Sequence, residues 1–271
     1  MITRIKTAIV LIILVAIPMY FKGVVLDLFI LGVGLYSTYE LIKMYRTRKE
    51  IKLIPIVIFY LFFILQCGMI YLGQGLIIPL YGFFLSLAIY AVMNKDAKDF
   101  GLSEISFLLF AYLFIAFTIY SVYLTFNISF EFFLYPILMA IIADTGGYFG
   151  GRYFGNKFFK ERKLIPEVSP KKTIEGAIAA VIFGTILGGL YLQYMTNIDT
   201  SLVSLMLLSF MISIISQFGD LFASLIKREF GIKDFSNLFP GHGGFLDRID
   251  GIIFNFMALT IVVEVISSFM S

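Results

Sequence analysis

Along this chain, apolar runs about twenty residues long alternate with short polar stretches. A bilayer core about 30 Å thick is crossed by roughly 20 apolar residues in helical form. Leu53–Leu72, Leu76–Met93, Leu102–Leu124, Phe132–Phe149, Ile174–Tyr194, Leu202–Phe222 and Phe245–Met270 each read as such a crossing. Between Lys6 and Lys43 only Lys22, Asp27 and Glu40 are ionisable acids or bases. One helix over Thr7–Tyr39 would be about 50 Å long at about 1.5 Å per residue. That is too long for one crossing, so the run divides near Lys22-Gly23. The pattern predicts an all-α, polytopic transmembrane helical protein of about nine spans. It reads as a single membrane domain over 1–271, with N-terminal helices in 1–130 and catalytic helices and cytoplasmic loops in 131–271. The first apolar stretch ends in Ile17-Pro18-Met19-Tyr20 without a small-x-small cleavage site, so it reads as a span rather than a signal peptide.

The basic residues orient these spans. With the N-terminus cytoplasmic and the C-terminus outside, all 21 lysines and arginines except Lys22 fall in inside loops. Merging the first two spans would scramble that pattern. Composition agrees: 60% of residues are hydrophobic and 14% charged. The mean hydropathy is +0.95. A soluble domain of this size could not hide so much apolar surface. Basic loops facing anionic lipid account for the net charge of +3 without a nucleic-acid partner. Cys67 is the one cysteine, lies in an apolar run and reads as a small core residue. Gly184, Gly188 and Gly189 let neighbouring helices approach closely.

Acids at the membrane edge need a reason, because a buried carboxylate is costly unless paired, protonated or bound to a cation. Asp144 and Asp220 stand near the inner ends of spans six and eight, and Asp247 and Asp250 open span nine. The last two share one helix face at i and i+3. The topology brings all four to a similar depth. That convergence points to a divalent-cation site, with Asp144, Asp220 and Asp247 as ligands and Mg²⁺ as the ion suited to carboxylate and phosphate oxygens. The competing reading pairs each acid with a nearby Lys or Arg, or uses it to cap a helix. Asp27 reads as interfacial or paired, and Glu264 as close to the outer face.

Cations accompany the acids. In Ser169-Pro170-Lys171-Lys172-Thr173-Ile174-Glu175-Gly176, Ser169 reads as an N-cap and Pro170 as the first helical residue of span seven. Free N–H groups there, with Lys171 and Lys172, make an anion site; ordinary positive-inside anchoring is the alternative. Lys227 and Arg228 follow Asp220 by about two turns. Between spans eight and nine, Gly241-His242-Gly243-Gly244 forms a pliable loop whose backbone can approach phosphate or sugar. It is neither a Walker A sequence nor a GxGxxG loop. His242 could serve as a general base, though a lone histidine is more often structural and Mg²⁺ does not favour imidazole. Together these residues predict phosphoryl or nucleotidyl transfer at the inner membrane surface. Two other readings stay open: a CTP-dependent lipid-alcohol kinase and a cation-coupled transporter.

Residues 224–250 read SLIKREFGIKDFSNLFPGHGGFLDRID. This closely resembles the signature of phosphatidate cytidylyltransferases, the CDP-diacylglycerol synthases. Ser224, Lys227, Arg228, Lys233, Asp234, Pro240, Gly241, His242, Gly243, Gly244, Asp247, Arg248 and Asp250 occupy matching places. Asp144-Thr145-Gly146 and Ser169–Gly176 resemble two further segments of that family, and Gly155 and Lys157 suit the link between them. The resemblance implies synthesis of CDP-diacylglycerol and pyrophosphate from CTP and phosphatidate, in a multi-pass membrane homodimer. It implies Mg²⁺, with K⁺ able to share the site. It also implies that Ser169, Lys171, Lys172, Thr173, Lys227, Arg228, Arg248 and the Gly241–Gly244 loop meet the substrates, and that Asp144, Asp220, Asp247 and Asp250 serve the reacting centre.

Overall fold

A computed structural model describes residues 13–73, 77–94, 100–155, 163–241 and 243–270. A helix over 13–21 (α1) is followed by α2 (Gly23–Tyr45), α3 (Leu53–Tyr71), α4 (Ile77–Met93), α5 (Leu102–Ile128) and α6 (Phe130–Phe154). A hairpin, β1 (Lys163–Ile165) and β2 (Ser169–Thr173), leads into α7 (Ile174–Met195), α8 (Leu202–Glu229) and α9 (Leu246–Met270). Among the described helices, seven are long and apolar enough to cross a membrane, and α4 is a shorter apolar helix of 17 residues. The chain is a predominantly helical, multi-pass membrane protein.

The break between the first two helices falls where the length argument puts it. Lys22 and Gly23 both have positive φ, 52° and 49°, which ends α1. The start of span seven differs from expectation. Ser169 and Pro170 do not open a helix; they belong to β2, which pairs antiparallel with β1. Thr173 is the N-cap instead, its hydroxyl accepting from the Gly176 N–H at 3.1 Å. Pro170 suits a helix start and the edge of a short ribbon equally well.

The chain forms two compact units. The first comprises residues 1–120 with 234–248. Its interior is aromatic: Phe83 stacks on Tyr112 at 4.6 Å between ring centroids, and Phe59 meets Phe83 edge-on at 5.5 Å. The Tyr112 hydroxyl donates to the Gln66 side-chain oxygen Oε1 at 3.1 Å. At the end of α2, the Glu104 carboxylate is wholly buried. It pairs with Lys49 and accepts from the Gly101 N–H at 2.7 Å and the Tyr45 hydroxyl at 3.3 Å. The hydrogen bond to Glu104 raises the Lys49 ammonium above the ordinary lysine range. That contribution is complete below the unfolded lysine value and is lost only as pH rises through the folded one, so it is constant across neutral pH. Lys49→Met is therefore expected to lower the melting temperature in detergent more than Glu104→Gln. The first strands a buried carboxylate, while the second leaves a half-exposed ammonium that water can solvate. Equal melting temperatures for the two variants would contradict this account.

The second unit comprises residues 121–233 with 249–271. Tyr135, Met139, Leu192, Ile212 and Leu259 form part of its core. Here α7 lies close against α6 and α8 because its glycines have no side chain. A Cβ on Gly184 would strike the Ser213 hydroxyl, and one on Gly188 would strike the Met139 sulfur. Ser213 Oγ donates to the Ala180 carbonyl at 3.0 Å, and Tyr135 donates to Ser209 Oγ at 2.9 Å. The Asn255 amide ties α9 to the Pro136 carbonyl at 3.0 Å and to Ser216 Oγ at 3.2 Å.

Candidate functional site

In the second unit, α6, the hairpin, α7 and α8 surround a cavity of about 480 Å³. Asp144 and Arg152 of α6 line it, with Lys171, Lys172 and Thr173 of β2 and Gln217 of α8. Gly147, Gly151 and Gly176 form much of the remaining wall. Glycine at 176 lets α7 approach α6 closely here: a Cβ on Gly176 would stand 2.7 Å from the Gly147 carbonyl oxygen. Gln217 is anchored by its amide, which donates to the Ala177 carbonyl at 3.2 Å. Arg152 donates to the Tyr148 hydroxyl at 2.9 Å. Sequence reasoning placed Arg152 among the loop charges and in the Gly-Arg-x-x-Gly-x-Lys link without giving it a substrate role, and passed over Gln217. The Gly151-Arg152 pair beside the Asp144 segment was the available signal for the first, and no local pattern marks the second.

Lys172 reaches from this cavity to Asp220 of α8 and forms an ion pair with it. Both side chains keep roughly a third of their surface open, 28% and 30%. Two turns further along α8, Lys227 is buried and its ammonium lies 3.6 Å from the Asp250 carboxylate. Asp250 thus meets a basic partner. Arg228 is exposed and donates to the Ile232 carbonyl at 3.3 Å. Cations outnumber acids around the cavity, which favours phosphate-bearing ligands.

Asp144 lines the cavity and Asp220 pairs with Lys172 of its wall, and carboxylate oxygens are donors that suit Mg²⁺ rather than a soft metal. Among the described residues, no three His, Cys, Asp or Glu side chains cluster to hold an ion unaided. Water and substrate phosphate would complete the coordination, as is usual for Mg²⁺.

Of the other signature residues, Asp234, Pro240, Gly241, Gly243, Gly244, Asp247 and Arg248 belong to the first unit. Asp247 is buried in the first turn of α9. Its Oδ2 accepts from the Phe235 N–H at 2.8 Å and the Gly244 N–H at 2.9 Å. Gly241 and Gly243 have φ of 78° and 79°, a conformation that explains glycine at both positions. The Phe239 N–H donates to the Gly243 carbonyl at 2.9 Å, closing the loop on itself. Arg248 is exposed. His242 and Lys157 lie outside the described residues. Sequence reasoning missed Glu40 altogether. It is fully buried in α2, and its carboxylate accepts from the Ser236 hydroxyl, from the Phe245 N–H at 2.9 Å and from the Leu246 N–H at 2.8 Å.

The family model described as the cytidylyltransferase family matches residues 2–266. The chain belongs to the cytidylyltransferase family. Among its relatives, the phosphatidate cytidylyltransferase of Haemophilus influenzae is 43% identical over 122 residues, which is 44% of this chain and 41% of that protein. That of Staphylococcus haemolyticus is 35% identical over 173 residues, 64% of each chain. That of Bacillus subtilis is 36% identical over 120 residues, 44% of this chain and 42% of the relative. The aligned part of this cytidylyltransferase-family chain thus spans 41% to 64% of these relatives' own lengths.

Proposed function

We propose that this chain transfers the cytidylyl group of CTP to phosphatidate, yielding CDP-diacylglycerol and pyrophosphate. The observation that carries this reading is the cation-rich cavity bounded by Asp144, Lys171 and Lys172, with Lys172 reaching Asp220, in a chain of the cytidylyltransferase family. A phosphatidate phosphate oxygen attacks the α-phosphorus of CTP. A new P–O bond forms, the bond to the β-phosphate bridge breaks, and pyrophosphate leaves with the electron pair. The nucleophile is already an anion, so no base has to take a proton from it, and His242 is not needed for that purpose. Bringing two anions together is the main barrier, and fixed positive charge answers it.

Lys171, Lys172 and Arg152 hold phosphate oxygens, with Ser169 and Thr173 at the ends of their strand. Lys227 is oriented by Asp250, and Arg228 and Arg248 add charge for the triphosphate or the leaving group. Asp220 and Asp144 would hold Mg²⁺, whose charge would neutralise the phosphates; K⁺ can share such a set. Asp247 is assigned to the metal on its signature position, and Gly241–Gly244 to the nucleotide. The proposed topology has nine spans, the N-terminus and the reaction on the cytoplasmic side, and the C-terminus outside, in a homodimer in the cytoplasmic membrane.

The deciding experiment adds phosphatidate to the purified protein with labelled CTP. Labelled pyrophosphate and CDP-diacylglycerol are expected. Release of CDP would mean γ-phosphate transfer to a lipid, and solute flux without CTP consumption would mean transport. Lys172→Ala is expected to reduce turnover by roughly 10- to 100-fold while the amount of membrane-inserted protein stays unchanged. Intact turnover would return Lys172 to a simple anchoring role.

A further inference from the structure

We infer that Glu40 is a positioning residue that holds the Gly241–Gly244 loop and the start of α9 in their ligand-binding shape. The inference rests on the reading of that loop as the nucleotide site. A fully buried carboxylate, such as that of Glu40 near the C-terminal end of α2, is expensive unless it is hydrogen-bonded. Glu40 uses both of its oxygens: Oε1 accepts from Ser236 Oγ and from the Phe245 N–H, and Oε2 accepts from the Leu246 N–H. These donors lie about two hundred residues further along the chain, separated from Glu40 by 196 to 206 positions.

The donors are of a particular kind. The first N–H groups of a helix have no intrahelical acceptor. At the entry to α9 three successive backbone N–H groups, from Gly244, Phe245 and the first helical residue Leu246, all go to carboxylates. Asp247 takes the first and Glu40 the other two. Asp247 also takes the Phe235 N–H, and Glu40 also takes the Ser236 hydroxyl. The two acids thereby clamp both ends of the segment that carries Gly241 and Gly243. The clamp requires glycine at 244, because a Cβ there would run into Glu40 Oε1 and approach the Ser236 nitrogen to 2.9 Å. Negative charge at the head of α9 also suits the helix dipole.

The test compares the parent protein with Glu40→Gln and Ser236→Ala, as full-length chains in lipid nanodiscs. Glutamine keeps one acceptor oxygen and turns an N–H₂ toward a donor, so the clamp is broken with little change of volume. Amide exchange in residues 234–248 is expected to accelerate by roughly tenfold, the factor that about 1.4 kcal/mol represents. The KM for CTP is expected to rise by a similar factor, with kcat and the KM for phosphatidate changing much less. Ser236→Ala should give a smaller change of the same kind, and the double variant less than the sum of the two. Unchanged exchange and unchanged KM for CTP, with only a lower melting temperature, would overturn the proposal and leave Glu40 as a buried structural acid. A parent protein without cytidylyl transfer overturns the functional reading instead. The exchange measurement then decides the hold of Glu40 on the loop by itself.

Discussion

Asp220→Asn is expected to abolish cytidylyl transfer almost completely, by at least about 100-fold at saturating substrate. Asparagine is isosteric, and the site keeps about a third of the aspartate surface open, 30%. The fold should therefore survive, with melting in detergent close to the parent. What changes is electrostatic. Lys172 loses its counter-ion, and the proposed metal site loses one negative charge. The check is initial rate against Mg²⁺ concentration, alongside a direct binding measurement with Mn²⁺ by electron paramagnetic resonance. A variant that keeps near-parental rate and the same Mg²⁺ dependence removes Asp220 from the metal site.

Gly244→Ala is expected to cause the largest loss among small substitutions outside that cavity. The new methyl would enter the space of Glu40 Oε1 and come within 2.9 Å of both the Ser236 nitrogen and its hydroxyl oxygen. None of these can move away cheaply, since Ser236 and Glu40 are bonded to each other and Glu40 is fully buried. Overpacking of this kind costs about 1–3 kcal/mol, and the broken carboxylate contacts add about 1 kcal/mol or more each. A fall in melting temperature of several degrees, with loss of CTP binding in what remains folded, is the expected result. A fully stable, active Gly244→Ala protein would mean that the α9 entry is looser than these contacts imply.

Much of the architecture could be read in advance because membrane helices are long, apolar and bounded by charge. The split at Lys22-Gly23 followed from length alone. The signature over Ser224–Asp250 carried the family. What could not be read has a common physical cause: it depends on partners far away in the chain. Ser169-Pro170 looks like a helix start until Lys163–Ile165 is found beside it as a strand. Glu40 looks like an isolated acid in an apolar run, because its donors lie in a loop on the far side of the sequence. Asp247 reads as a metal ligand because the topology brings it to the same depth as Asp144, Asp220 and Asp250. That its Oδ2 would already be occupied by two backbone N–H groups depends on how residues 235–244 fold back, which spacing cannot reveal.

The glycines of α7 carry one more implication. Serine and methionine side chains from its neighbours fill the notches at Gly184, Gly188 and Gly189, as teeth fill a rack. Sliding α7 past α8 by a single residue, about 1.5 Å, would drive Ser213 or Met206 into backbone. The register of the two helices along their axes is thereby locked, and with it the level at which Lys172 meets Asp220. A bulky substitution at Gly184 would shift that level and so disturb the Lys172–Asp220 pair from a distance.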